Sequence, residues 1–508
     1  MRLSILALTI AGAGAFTGTA WAQSSVSPNS QNGSMQCMEQ MAMPGCPQTN
    51  VSPSKQGQDT HPTMTLQEPE HAEKHTGENL PAPDLLKDIA SRPAMALADF
   101  EALADASNPT LMQSNALVRR SQEQARQAGL YPNPTAGYQG EQIRGGSFGG
   151  GEQGGFIQQT IVLGGKLGLR RDIYQQQGKS DQIGVQVQTS RVHNDVQQAF
   201  YDALTAQAEV QLRQRLLRLA LDAVDTVHQL ANVGQADAPD ILQTEVESEQ
   251  AKVDDEAAQR EYLTAFHTLA SRAGKTELLV SPLQGDLEQL PDLNAEQIAD
   301  RVVSDSPTVK RAEQEVAVAQ ARLKDAKHEA VPDLELRAGE QYNGERVSTN
   351  PVKPVGAQSF ATAGIDIPLW NRNQGNSEAA KAELERAEED VTRERLRLRQ
   401  QAEPMAQSYL SARFEADRYK TQLIPRAARA YQLYLEKYQD MAQAYPQVLV
   451  SQRTLFQLQI GYLKALHHVW QSATSLENYT LSGALDAPIS NGSPATSINP
   501  PNGGGAQE

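Results

Sequence analysis

The residues with the clearest chemical potential lie near the start of the chain. Met35, Cys37, Met38, Met41, Met43 and Cys46 crowd into twelve positions, and His61, Met64, His71 and His75 follow among Glu68, Glu70 and Glu73. Thioether and thiolate sulfurs are soft ligands suited to Cu(I) or Ag(I), while imidazole also suits Zn, Cu and Ni. Half of the chain's 10 methionines fall between Met35 and Met64, where no apolar periodicity asks for them as packing. Two readings stay open here. One is a soft-metal site; the other is compositional drift, with Cys37 and Cys46 free to pair in an oxidising compartment. His467-His468, beside Trp470, is a weaker candidate, because neighbouring helical residues point in different directions.

Asp237 and Asp240, in Gly234-Gln235-Ala236-Asp237-Ala238-Pro239-Asp240, stand at a turn between two helices. They suit capping of the returning helix, where carboxylates are favoured. The chain holds no Ser/His/Asp grouping in a suitable context, no phosphate-binding Gly-Lys loop and no HExxH motif. The expectation is a protein that is not an enzyme and needs no cofactor. A net charge of -16 excludes nucleic acid as a partner, because no basic patch offsets phosphate repulsion.

The elements that would position these residues begin after a leader. Arg2, an apolar stretch from Leu3 to Phe16, and Ala20-Trp21-Ala22 read as a signal peptide over 1–22. Residues 23–83 lack periodicity and are expected to be disordered, as is the Pro-, Asn- and Gly-rich tail 483–508. No apolar run has the length of a membrane-crossing helix, which leaves β-strands as the only route into lipid.

The body between them is one unit written twice, 84–290 and 291–482. Asn108-Pro109-Thr110 matches Ser306-Pro307-Thr308. Tyr131-Pro132 matches Val331-Pro332, Ile161-Val162-Leu163 matches Ile367-Pro368-Leu369, and Pro239 matches Pro446. The offset grows from 198 (Pro109 to Pro307) to 207 (Pro239 to Pro446), as small insertions allow. Each copy reads helix, two strands, long helix, turn, helix.

From Lys166 no strong breaker appears until Gly234, which makes a helix on the order of 100 Å long. Val192, Val196, Ala199, Ala203, Ala206 and Val210, then Leu217, Ala220, Val224 and Val227, alternate spacings of four and three, a coiled-coil seam. Ala402, Met405, Tyr409, Ala412, Ala416 and Tyr419 repeat it, in a helix that Pro404 and Pro425 should kink.

Between the helices the period is two. Ile157, Ile161 and Leu163 oppose Phe156, Gln158 and Thr160; Ala361, Ala363, Ile365 and Ile367 oppose Thr362, Gly364 and Asp366. Thr135 to Ile143 and Leu334 to Tyr342 are the partner strands, joined by loops over 144–153 and 343–357. One apolar and one polar face suit a wall between lipid and water. Four short strands cannot close a barrel, and an open edge in lipid leaves N–H and C=O groups unsatisfied. Three chains would pool twelve strands. The fold class expected is therefore mainly α with a small β part: a helical tunnel carrying a trimeric twelve-stranded barrel. The bland alternative is a soluble periplasmic coiled coil with two hairpins.

The layout resembles the TolC-like outer membrane factor family. Ile161-Val162-Leu163-Gly164-Gly165-Lys166 and Ile367-Pro368-Leu369-Trp370-Asn371-Arg372-Asn373-Gln374-Gly375-Asn376 are similar to the heavy-metal subgroup, the cobalt-zinc-cadmium and copper-silver efflux channels. The resemblance implies a homotrimer in outer-membrane lipid, docked to a periplasmic adaptor and an inner-membrane proton-driven pump. It implies an adaptor-facing tip that closes by constriction, with Asp240 at a position often acidic; Gln447 and Val450 depart from a second acidic ring. Gly164, Gly165 and Gly375 are read as easing the strand-to-helix change. Lys166 and Arg372 are read as solubilising charges at the barrel–tunnel junction. The cargo expected is a heavy-metal cation, copper or silver among them, with organic solutes as the alternative.

Overall fold

Pro109 and Pro307 each open a helix for the same local reason. In the computed structural model, whose described residues are 89, 91–143, 151–347, 351–439 and 445–489, each proline follows a polar cap. The Asn108 side chain accepts from the Thr110 N–H, and the Ser306 hydroxyl accepts from the Thr308 N–H. A proline at the first helical position loses no hydrogen bond, since that N–H has no partner inside the helix. The signal peptide, the leader with its Met, Cys and His ligands, the 144–150 and 440–444 segments and the chain beyond 489 lie outside the described residues.

The first repeat runs α1 (Leu97–Ser107), α2 (Pro109–Ala128), β1 (Thr135–Glu141), β2 (Glu152–Ile161), α3 (Lys166–Asn232) and α4 (Ala238–Arg272). The second runs α5 (Ala295–Asp305), α6 (Pro307–His328), β3 (Leu334–Val347), β4 (Lys353–Ile365), α7 (Gln374–Arg418), a π-helical turn (Tyr419–Leu423), α8 (Ile424–Gln439) and α9 (Tyr445–Glu477). The long helix α3 has 67 residues. Its counterpart continues as helix through Pro404, and a π turn lies just before Pro425.

The four strands form one antiparallel sheet in sequence order, so β2 and β3 join the two repeats. β1 stops at Glu141, short of the expected Ile143, while β2, β3 and β4 reach further into the expected loops. β3 continues through Asn343 to Val347, and β4 starts at Lys353, where a loop was expected. A register shift between Asn343 and Arg346 lets polar residues stay on the ladder, and Asn343 and Gln341 donate to Glu152 at 2.7 and 2.6 Å.

The core gathers where the helices cross between the sheet and the tip. Val192, Val196, Ala199, Ala203, Ala206 and Val210 are all buried. Beyond Val210 the seam moves: Leu212, Ala223 and Val227 are buried, while Leu217, Ala220 and Val224 are half-buried. Phe100 lies 6.1 Å from Phe200 and 6.0 Å from Phe266, in tilted and edge-on contact. Tyr201 stacks on Trp470 at 3.9 Å, locking α3 to α9.

The first residues of the C-terminal tail are docked, against the expectation of disorder from 483. The Gly483 and Ala484 N–H groups donate to Asp195, and the Ala484 carbonyl accepts from Thr110 and Gln188. Arg311 donates to the Ile489 carbonyl at 3.1 Å. Polar side chains buried on α2, α3 and α6 find their partners in this backbone, so composition alone misreads it.

Candidate functional site

The two faces of the sheet differ in chemistry. Register places Ile161, Leu334 and Ile365 side by side, then Gln159, Leu336 and Ala363, then Ala136, Ile157, Ala338 and Ala361, then Tyr138, Gly155, Glu340 and Ser359. Ile157, Ile365, Tyr138 and Tyr342 on this face are exposed. The opposite face carries Thr135, Gln158, Arg337 and Thr362 in one row, Gly137, Phe156, Gly339 and Phe360 in the next, and Glu335, Glu141 and Glu152 at its ends. From Leu334 to Tyr342 this face runs about 27 Å along the strand, apolar through Ala338 and interrupted by Glu340. Beneath it stand Ile367, Leu369 and Trp370, with Trp370 87% exposed.

At the junction the chain turns from β2 into α3 through two left-handed residues, Gly164 (φ 69°) and Gly165 (φ 70°). A Cβ on Gly164 would also come within 2.9 Å of Val331. Lys166 was expected to be a solubilising surface charge; it is 2% exposed. Its Nζ lies 2.7 Å from Asp333 and donates to the Val331 carbonyl at 3.0 Å, while Asp333 also accepts from the Leu163 N–H. Burial of this ammonium is balanced by a carboxylate from the other repeat, which the linear sequence did not display.

The second junction is built differently. Gly375 was read as the flexible residue, but it sits inside the first turn of α7, and the left-handed position belongs to Asn373 (φ 57°). Asparagine tolerates that conformation, and here its amide donates to the Ala326 carbonyl at 2.8 Å. Arg372 is exposed.

At the other end Asp237 and Asp240 form a reciprocal cap. The Asp237 carboxylate accepts from the Asp240 N–H at 3.3 Å, and the Asp240 carboxylate from the Asp237 N–H at 3.4 Å. Two ion pairs and a His–Glu contact that the sequence did not reveal tie the helices above this turn: Arg453–Glu247 at 2.5 Å, Arg213–Asp254 at 2.6 Å and His228–Glu245 at 3.4 Å. His467 is occupied by Asp202 at 2.6 Å, and its neighbour His468 is exposed. Among the described residues no group of three or more His, Cys, Asp or Glu could hold a metal ion.

Known proteins share this arrangement. Residues 298–480 match the family model described as outer membrane efflux protein. The cobalt-zinc-cadmium resistance protein CzcC of Cupriavidus metallidurans is 25% identical over 320 residues, 62% of this chain and 74% of that protein. Among solved structures, CusC has a TM-score of 0.60 at 17% identity, covering 76% of this chain and 92% of its own. VceC of Vibrio cholerae has a TM-score of 0.61 at 15% identity, with 76% and 96% covered. These structural likenesses establish the fold, a helical tunnel with sheet strands. The second repeat thus matches the outer membrane efflux protein model, and three quarters of the chain share the fold of these solved structures.

Proposed function

We propose that the chain assembles as a homotrimer whose pooled strands form an outer-membrane barrel, and that it is the exit duct of a tripartite pump for heavy-metal cations. Like the efflux proteins it matches, it catalyses no reaction. The observation that carries the reading is the pair of open edges. The sheet is ordered β1-β2-β3-β4, the helices beneath it pack α2-α3-α6-α7, and those nearer the tip pack α4-α3-α9 with α7 and α8. Every layer is therefore open at both ends. Leu242, Val246 and Val253 on α4, and Leu396, Leu410 and Phe414 on α7, stand exposed there. A second copy, placed edge to edge, covers these residues and satisfies the strand ladder, and three copies supply twelve strands.

The apolar sheet face fits lipid. A tilted strand with its apolar row, continued by Ile367, Leu369 and Trp370, spans a band about 25 Å tall, and Tyr138, Tyr342 and Trp370 sit where interfacial aromatics belong. No helix among the described residues is long and apolar enough to cross a membrane. The periplasmic adaptor and proton-driven pump follow from the family's mode of work. CzcC is named for cobalt, zinc and cadmium resistance, which favours metal cargo. The Met/Cys/His leader narrows that cargo toward soft ions such as Cu(I) and Ag(I).

The test is fractionation followed by a tolerance assay. The protein should leave the outer membrane only with detergent and migrate as a trimer. Deleting it should lower survival on copper, silver, zinc or cobalt salts. A folded, water-soluble monomer would sink the channel reading. Unchanged metal tolerance with lost tolerance to organic toxicants would sink the cargo reading alone.

A further inference from the structure

The polar face of the sheet holds two large aromatic rings that the membrane reading leaves without a role. Phe156 and Phe360 sit in the row Gly137-Phe156-Gly339-Phe360. Each ring lies over the glycine of the neighbouring strand. A Cβ on Gly137 would stand 2.5 Å from the Phe156 ring, and one on Gly339 2.9 Å from the Phe360 ring. Glycine at these two positions lets the rings lie flat against the wall. On this platform rests Arg337, from the next row. Its guanidinium carbon is 3.9 Å from the Phe156 centroid and 5.8 Å from that of Phe360, and one of its terminal nitrogens donates to the Gln139 amide oxygen. The groups that hold it, an amide and two phenyl rings, carry no charge. Its Nε is buried without a partner.

We infer that Arg337 sets the potential along the wall of the barrel stage: three copies form a positive collar, each guanidinium stacked on phenyl rings, that favours anions over cations beside the wall while cations pass along the middle of the duct. The inference rests on the trimeric barrel reading. The carboxylates on the same face are Glu335 on one side and Glu141 and Glu152 on the other, at different rows. Glu152 is held by Gln341 and Asn343. The collar is thus a positive stage between acidic ones. Arginine suits the task because its planar charge stacks on aromatic faces while remaining weakly hydrated. Salt screens each charge over about 8 Å at physiological ionic strength, so its effect is strongest beside the wall that carries it.

The test reads the local potential and does not depend on whether the periplasmic tip is open. Thr362 lies beside Arg337 in register. In full-length protein carrying Cys37→Ser, Cys46→Ser and Thr362→Cys, reconstituted in lipid vesicles, an anionic and a cationic thiosulfonate reagent are applied in turn. The anionic-to-cationic rate ratio should fall about threefold in Arg337→Gln and hold in Arg337→Lys, since the two reagents differ in charge and the collar loses three charges at once. In the parent the ratio should also collapse toward its free-thiol value at high salt, a check that needs no Arg337 variant. An unchanged ratio in Arg337→Gln, or a salt-independent ratio in the parent, overturns the proposal. So does a trimer in which Thr362→Cys reacts with neither reagent. If the parent chain forms no detergent-stable trimer, the channel reading itself falls first.

Discussion

Lys166 and Asp333 bind the two repeats together at the point where sheet becomes tunnel. The ammonium and carboxylate are 2.7 Å apart, and the lysine side chain is 3% exposed. Lys166→Ala should lower trimer stability by about 2 kcal/mol, because it leaves a half-buried carboxylate with one fewer partner. Asp333→Ala also removes the acceptor of the Leu163 N–H. The double variant should cost clearly less than the two single losses combined. Thermal dissociation of the detergent trimer measures all three, and strict additivity would show the pair to be uncoupled.

Asp237 caps α4, so Asp237→Ala should destabilise by about 1 kcal/mol and Asp237→Ser should recover most of it. Planar-bilayer conductance separates capping from gating. The Ser variant keeps the cap and loses the charge, so its conductance should match the parent. A rise would assign Asp237 to closure of the tip as well.

Burial holds the Asp255 carboxyl above the usual carboxylate range, and one of its oxygens has no hydrogen-bond partner. The folded chain therefore keeps this proton to higher pH than the unfolded chain. Stability falls as pH rises from the ordinary carboxylate range through the raised value, and is flat above it. Asp255→Asn removes that loss. The variant should melt above the parent at neutral pH, by the equivalent of about 1 kcal/mol, and the gap should close in acid. A gap that widens in acid would contradict the assignment.

The leader ligands lie outside the duplicated body. Removing residues 34–75 should leave trimer stability intact while reducing copper or silver tolerance more than zinc or cobalt tolerance. Replacing Met35, Met38, Met41 and Met43 by Leu keeps length and apolarity. Full copper and silver tolerance in that variant would show the methionine sulfurs to be dispensable.

Much of the architecture is legible because it is local or periodic. Helix α3 follows from a long stretch without breakers and ends two residues before Gly234. The matching helix starts at Asn108-Pro109 and Ser306-Pro307 are caps that act within three residues. The two sheet faces follow from alternation, since a strand turns successive side chains to opposite sides. What misled was composition: residues at 343–347 read as loop but belong to a strand, and the start of the tail, from Gly483 to Ile489, reads as disorder but supplies partners to buried side chains.

The sequence by itself determined the duplication, the helix lengths and the chemistry of each sheet face, because those depend on neighbours a few positions away. Tertiary structure alone decided that Lys166 is buried, that Asn373 and not Gly375 takes the left-handed turn, and that Arg337 lies on Phe156 and Phe360. Lys166 and Arg337 meet partners from a distant stretch of chain, across the β2–β3 pairing that joins the repeats. Asn373 is set by its contact with the end of α6. No pattern within one strand or one helix encodes such a meeting; it exists only once the ladder has fixed which rows stand side by side.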